Sequence, residues 1–160
     1  IASLLAACGP STKDATLPPP PEEMLLIGGS AMSSQTIGAV LDMYSELIRT
    51  FNKDYPYMKS NLFALDSPEA FTSTSEYYGV ALEQQGFERM TGLHDIVVEQ
   101  ARGADEVYIA GWAKRKQIFI MYAITPFGEN ETKLGASLLT NYPDPKSNLF
   151  MRPDFYVPPE

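Results

Sequence analysis

The placement of proline limits where regular structure can form in this chain. Ten of the thirteen prolines lie in residues 1–21 or 143–160. Proline has no backbone N–H and a fixed φ, so it interrupts helices and the interior of sheets. The sequence therefore predicts one folded domain at residues 24–142, a proline-rich stalk at 9–23 and an extended proline-rich tail at 143–160.

Composition argues against several classes of function. One His and one Cys are too few for an imidazole or thiolate metal cluster or for an intrachain disulfide. A net charge of -8 opposes binding to nucleic acid, which depends on releasing counterions with Lys and Arg. With 44% apolar and 20% charged residues, the chain has the composition of a folded domain. We expect no metal, no other cofactor and no nucleic-acid partner.

A first helix is predicted by the spacing of apolar residues near the start of the domain. From Ile37 to Phe51 they recur every three or four residues, which places them on one stripe. Ser33 or Ser34 can cap its start, and Tyr55-Pro56 should stop it because the residue before proline disfavours the helical region.

A second helix has two candidate starts. Ser73-Thr74-Ser75-Glu76 has the form of a capping box. The earlier Asp66-Ser67-Pro68-Glu69 would place a proline in the first turn, where proline is favoured. In either case the helix should end near Gly86, a C-terminal cap glycine.

After Gly86 the apolar pattern changes to a period of two, typical of strands. Helices followed by such strands predict an α+β domain, with two helices and then an antiparallel β-meander packed in two layers. The candidate strands are Phe87–Thr91, Ile96–Gln100, Glu106–Ala113, Gln117–Ile124 and Leu134–Thr140.

The central hairpin of this meander is apolar on both faces, whereas a sheet with one face in water alternates apolar and polar residues. Either the two helices and the tail cover both faces, or a partner subunit or ligand packs on the second. One face carries Val107, Ile109, Ile118, Ile120, Tyr122 and Ile124, and the other carries Tyr108, Ala110, Trp112, Phe119, Met121 and Ala123. The candidate contacts to a partner or ligand are Tyr108, Trp112, Phe119 and Met121, together with Phe150, Phe155 and Tyr156 of the tail.

Little in the sequence indicates catalysis. His94 is the only candidate base for a nucleophile such as Ser30, and no Gly-x-Ser-x-Gly elbow surrounds that serine. His94 falls in Gly92–Asp95, which is expected to be a loop between strands. Neighbouring carboxylates lie at predicted turns or strand starts, where acidic residues are ordinary surface groups. We expect no catalytic residues and no enzyme activity.

The first eight residues have the pattern of a targeting signal. An apolar run ends in small residues and a cysteine, and Leu5-Ala6-Ala7-Cys8 closely resembles the lipobox of bacterial lipoproteins. The resemblance implies that residues 1–8 are the remnant of a signal peptide and that Cys8 is lipidated. It also implies an exported protein, periplasmic or on the outer face of a bacterial cell membrane, because acyl chains anchor a domain to the bilayer.

A second, looser resemblance covers the middle of the domain. The run from Ser67 to Glu88 is similar to a pattern in exported bacterial α+β lipoproteins, in which an acidic helix ends in a Leu-x-x-x-Gly-aromatic step. This supports the fold and implies no chemistry. The sequence therefore predicts a membrane-anchored, non-catalytic accessory or scaffold subunit that contacts other subunits of a membrane complex. The alternative is an exported binding module for a small apolar ligand or lipid.

Overall fold

The structure, a computed structural model, describes residues 18, 21, 32–127 and 131–141. Three helices and five strands form within these ranges, and the predicted α+β class is confirmed. In chain order they are α1 (Ser34–Phe51), β1 (Lys59–Leu65), α2 (Pro68–Glu83), β2 (Glu88–Arg89), α3 (Leu93–Val97), β3 (Val107–Lys114), β4 (Gln117–Ile124) and β5 (Leu134–Thr140).

Helix α1 begins where the sequence predicted. The Ser33 hydroxyl oxygen accepts a hydrogen bond from the Thr36 N–H at 3.2 Å, which satisfies one of the free amides of the first turn. A second acceptor comes from far along the chain, because the Glu131 carboxylate accepts from the Ser33 N–H and the Thr36 hydroxyl. The helix ends at Phe51, slightly before the predicted stop.

Helix α2 uses the earlier of its two predicted starts. The Ser67 hydroxyl oxygen accepts from the Ala70 N–H at 3.1 Å, and Pro68 occupies the first turn. Ser73 therefore lies inside the helix, where its hydroxyl donates to the Ala70 carbonyl. After the last turn, Gly86 adopts a φ of +93°, a conformation that glycine enters without strain.

All five strands form one antiparallel sheet in the order β1-β5-β4-β3-β2. The predicted meander β3-β4-β5 is present, and the bounds of β4 and β5 are as predicted. The sequence missed β1, which lies between α1 and α2 along the chain and pairs with the outer side of β5.

The predicted strand at Ile96–Gln100 is wrong. Residues Leu93–Val97 form the short helix α3, because Leu93 and Val97, four residues apart, both face the sheet and are buried. The strand predicted at Phe87–Thr91 is reduced to Glu88–Arg89, since the chain leaves the sheet to enter this helix.

Helices cover both faces of the sheet, so the domain has three layers where two were expected. Helix α2 packs on the face that carries Trp112 and Phe119, and α1 and α3 pack on the face that carries Ile120 and Tyr122. Both faces of β3 and β4 are apolar, so each needs a cover of its own. None of the helices among the described residues is long and apolar enough to span a bilayer.

Candidate functional site

The apolar second face of the central hairpin is covered by the chain's own helix α2. Trp112, Phe119 and Met121 are at most 1% exposed. The Tyr78 ring from α2 lies 5.1 Å from the Phe119 ring, and Gly79 brings the helix backbone against Trp112. Because α2 encloses these three side chains, an external partner cannot reach them in this fold, and helical cover is the alternative that applies.

The other predicted site residues are either partly exposed or not described by the structure. Tyr108 is only half-buried and lies at the rim of the domain. Cys8, the stalk apart from Pro18 and Pro21, and the tail residues Phe150, Phe155 and Tyr156 lie outside the described residues.

Among the described residues, no strand lies beside the edge of β3 at Tyr108. Strand β2 pairs only with Trp112 and Ala113, which leaves residues 107–110 unpaired on that side. The Thr125 N–H donates to the Glu106 carbonyl, so the even-numbered residues of β3 exchange hydrogen bonds with β4. The N–H and C=O groups of Val107 and Ile109 consequently point away from the sheet. No hydrogen bond within the described part of the chain reaches these outward groups.

Two open cavities flank this edge and meet at His94 and Val107, which line both. The first, of about 320 Å³, lies between β3 and α2 and includes Phe71, Ser75 and Tyr108 in its lining. The second, of about 530 Å³, lies between Val107, α3 and the segment 98–106. Together with the unpaired edge of β3 they form a groove, which we call the β3 groove.

Charges around the β3 groove are mainly acidic. Four carboxylates line the groove, and each of its two arginines already contacts another side chain of the chain. Arg102 forms an ion pair with Glu99, and the Arg89 guanidinium lies 5.5 Å from the centre of the Trp112 ring. The carboxylates are those of Glu76, Glu99, Asp105 and Glu106.

Tyr108 reports this acidic surrounding directly. Its hydroxyl donates a hydrogen bond to the Glu106 carboxylate. That bond, with smaller contributions from burial and from the charges of Glu106 and Glu69, raises the pKa of Tyr108 to about 12. At physiological pH the phenol is neutral and donates this bond to Glu106 at the start of the edge.

The sequence predicted that His94 lies in a loop between strands, and this prediction is wrong. His94 lies on α3 with an exposed side chain. Ser30 lies outside the described residues, so the structure does not test that pairing. Within residues 32–127 and 131–141, no three His, Cys, Asp or Glu side chains are close enough to hold a metal ion. What this site offers chemically is backbone donors and acceptors, two recesses for side chains, and negative charge.

Sequence reasoning missed the outward backbone groups of Val107 and Ile109. In an edge strand, alternate residues bond to the neighbouring strand and the others direct their N–H and C=O groups outward. Which set does which depends on the hydrogen-bond register with the neighbouring strand, and the side-chain pattern does not indicate that register. The sequence feature closest to an indication of this edge is the pair of acidic residues, Asp105 and Glu106, directly before an apolar strand.

Comparisons with protein-family models, curated proteins and solved structures found no match to this chain.

Proposed function

We propose that this protein is a non-catalytic accessory or scaffold subunit of a membrane-bound assembly, exported and anchored through Cys8. The observation that supports the proposal is the β3 groove, whose unpaired strand edge suits an extended segment of another protein. Such segments add to exposed sheet edges in many complexes, where backbone hydrogen bonds provide affinity and side-chain recesses provide specificity.

The geometry defines how a segment would bind. Val107 and Ile109 together offer two outward N–H donors and two outward C=O acceptors. A side chain opposite Tyr108 would enter the cavity of about 320 Å³ beside α2, because directly opposed residues share a face of a sheet. A side chain opposite Val107 would enter the larger cavity beside α3.

The alternative, a binding module for a small apolar ligand or lipid, has less support. A ligand between the sheet and α2 needs space, and Trp112, Tyr78 and Phe119 occupy that space in ring-to-ring contact. The remaining recesses are open and lined by charged residues, whereas sites for apolar ligands are mostly enclosed and apolar.

Photo-crosslinking tests the proposal in the native membrane. A photoactivatable amino acid is placed in the full chain at Thr72, an exposed residue that lines the β3 groove, and at Leu41, a control on the outer face of α1. We expect a discrete protein adduct from position 72 and none from position 41. Adducts at 72 to lipid alone would favour the ligand alternative, and no adduct at 72 would contradict the proposed site.

A proline at Val107 separates edge pairing from other modes of contact. Val107 is the first residue of β3 and its N–H points outward, so proline should remove this donor without disturbing the ladder to β4. The adduct at position 72 should fall severalfold in Val107→Pro and persist in Val107→Ala. Equal yields in both variants would exclude pairing along this edge.

Anchoring is tested separately. Cys8→Ser removes the thiol that would carry the lipid, so the full chain should move from the membrane fraction to the soluble fraction on cell fractionation. A Cys8→Ser chain that still sediments with membrane would contradict lipidation as the anchor.

A further inference from the structure

The two cavities of the β3 groove lie on opposite faces of the sheet. The side chains of Val107 and Tyr108 point to opposite faces because they are neighbours in β3. The cavity of about 530 Å³ lies beside Val107 and α3, and we call it the α3 recess. The cavity of about 320 Å³ lies beside Tyr108 and α2, and we call it the α2 recess. Two consecutive residues of a strand paired with β3 would therefore place one side chain in each recess.

The α3 recess carries an excess of negative charge. Among the described residues that line it are Glu99, Asp105 and Glu106, with Arg102 as its only arginine or lysine. Arg102 forms its ion pair with Glu99, and Glu106 accepts a hydrogen bond from the neutral hydroxyl of Tyr108. No ion pair within the described part of the chain reaches Asp105 or Glu106. Two carboxylates of this recess therefore lack a compensating positive charge.

The α2 recess has no such excess. Glu76 and Arg89, one residue of each charge, line it. The rings of Phe71 and Tyr108, 5.7 Å apart, give it an aromatic wall. His94 lines both recesses and so does not distinguish them. The α2 recess therefore suits an uncharged and mainly apolar side chain.

The strand edge between the two recesses is short and accessible. Val107, Tyr108 and Ile109 are each partly exposed. Ala110 is buried, and the Gly111 carbonyl accepts a hydrogen bond from the Met90 N–H, so the accessible edge ends at Ile109. Because so few residues can pair, the side chains that enter the recesses must provide most of the selectivity.

We propose that the partner of the β3 groove is an extended segment of another protein, with an arginine or lysine opposite Val107 and an adjacent apolar residue opposite Tyr108. This inference rests on the proposed function and specifies the chemistry of the partner. A long basic side chain can pack its aliphatic stem in the α3 recess and bring its charge to Asp105 and Glu106. Complementary charge of this kind accelerates association and excludes partners of the wrong charge.

Charge disfavours the other occupants of the groove. A second copy of this chain has a net charge of -8 and brings its own carboxylates to the groove. The tail at residues 143–160 has three acidic and two basic residues, so it brings no excess of positive charge. An apolar ligand would desolvate the carboxylates of the α3 recess without pairing them.

Neutralising the α3 recess tests this proposal. The photoactivatable residue at position 72, which lines the α2 recess, is combined in the full chain with Asp105→Asn and Glu106→Gln. These amides keep the size of the side chains, and the amide oxygen at position 106 can still accept from Tyr108. We expect the yield of protein adduct to fall severalfold. Asp42→Asn with Glu83→Gln, a matched pair of exposed residues outside the groove, should leave the yield unchanged.

A change of charge at Val98 separates electrostatic from steric effects. Val98 lines the α3 recess and is 38% exposed. Val98→Lys places a positive charge where the partner's basic side chain would lie, so it should lower the adduct yield severalfold. Val98→Glu adds a side chain of the opposite charge and should keep or raise the yield. Trp112 emission and circular dichroism establish that each variant is folded, and an equal loss in both variants would overturn the proposal.

The cross-linked segment itself gives a second measurement. Digestion of the wild-type adduct with chymotrypsin, which does not cleave after lysine or arginine, keeps the segment intact for mass spectrometry. We expect a lysine or arginine directly beside the residue that is linked to position 72. A segment without a basic residue, or an undiminished adduct in the neutralised chain, would overturn this inference and leave the proposed function in place.

The remaining outcomes are also decisive. No adduct from position 72 in the wild-type background would contradict the proposed function and this inference with it. An adduct to residues 143–160 of the same chain, to a second copy or to lipid would identify a different occupant and overturn the inference.

Discussion

Replacing Gly79 by alanine tests the packing of α2 on Trp112, on which the core of this face depends. Gly79 lies inside α2, where alanine is favoured over glycine by about 1 kcal/mol when nothing else changes. A Cβ built at Gly79 would lie 2.6 Å from Cζ2 of Trp112, whereas ordinary carbon contacts begin near 3.4 Å. The helix and the sheet would have to move apart by about 0.8 Å, or the indole would have to leave its position.

Gly38 in α1 provides a matched control, because a Cβ there would meet nothing within 4 Å. Gly38→Ala should therefore stabilise the protein by about 1 kcal/mol, a rise of about 2–4 °C in Tm. Forcing an extra methyl into a packed core costs about 1–3 kcal/mol, and the helix propensity of alanine offsets about 1 kcal/mol of this. The free energy of unfolding of Gly79→Ala should therefore be unchanged or lower by up to about 2 kcal/mol. The free energies of unfolding of the two variants should differ by about 1–3 kcal/mol.

Urea unfolding followed by Trp112 emission measures both variants, since Trp112 is the single tryptophan of the chain and is buried in the native state. The cost of Gly79→Ala should be smaller in a Trp112→Phe background than in the wild type, because the smaller ring relieves the contact. Circular dichroism replaces fluorescence for the variants without tryptophan. If Gly79→Ala stabilised the protein as much as Gly38→Ala, α2 would not pack on Trp112 as described.

Three further predictions concern individual polar contacts. Glu131→Ala should lower the free energy of unfolding by about 1–3 kcal/mol, because it removes the carboxylate that accepts from the first turn of α1; an unchanged urea midpoint would contradict this role. Asn141→Ala should cost a similar amount, about 1–3 kcal/mol, because the Asn141 side chain accepts from Ile118 N–H and donates to the Lys116 carbonyl; Asn141→Asp should also destabilise the fold, because a carboxylate oxygen would then face the Lys116 carbonyl oxygen. The pKa of Tyr108 is raised from 10.0 to about 12, so its hydrogen bond should stabilise the fold fully below pH 10 and progressively less as the pH rises through 12. The stability difference between wild type and Tyr108→Phe, measured by urea unfolding at a series of pH values, should shrink over that interval; a constant difference would contradict the pKa.

Local patterns in the sequence were enough to predict the elements that are determined by contacts between residues close along the chain. The stripe from Ile37 to Phe51 and the cap at Ser33 predicted α1, because helix periodicity and capping involve residues within one or two turns. The bounds of β4 and β5 were also predicted, since both strands are long apolar runs closed by turn residues.

Short or irregular elements were not predictable in this way. Strand β1 begins with Lys59, Ser60 and Asn61, which have little apolar character, and it becomes a strand because β5 offers it a complete edge. Helix α3 was mistaken for a strand because Ile96 to Val98 is a short apolar run, which fits either structure until its contacts are known.

The same distinction between local and long-range contacts applies to the candidate site. The sequence by itself determined the α+β class and the fact that both faces of the hairpin need a cover. Only the tertiary structure decided that α2 covers Trp112, and that Val107 and Ile109 direct their backbone groups away from the sheet. The reason is that side-chain periodicity is a property of one segment, whereas cover and free edges are determined by which distant segments meet.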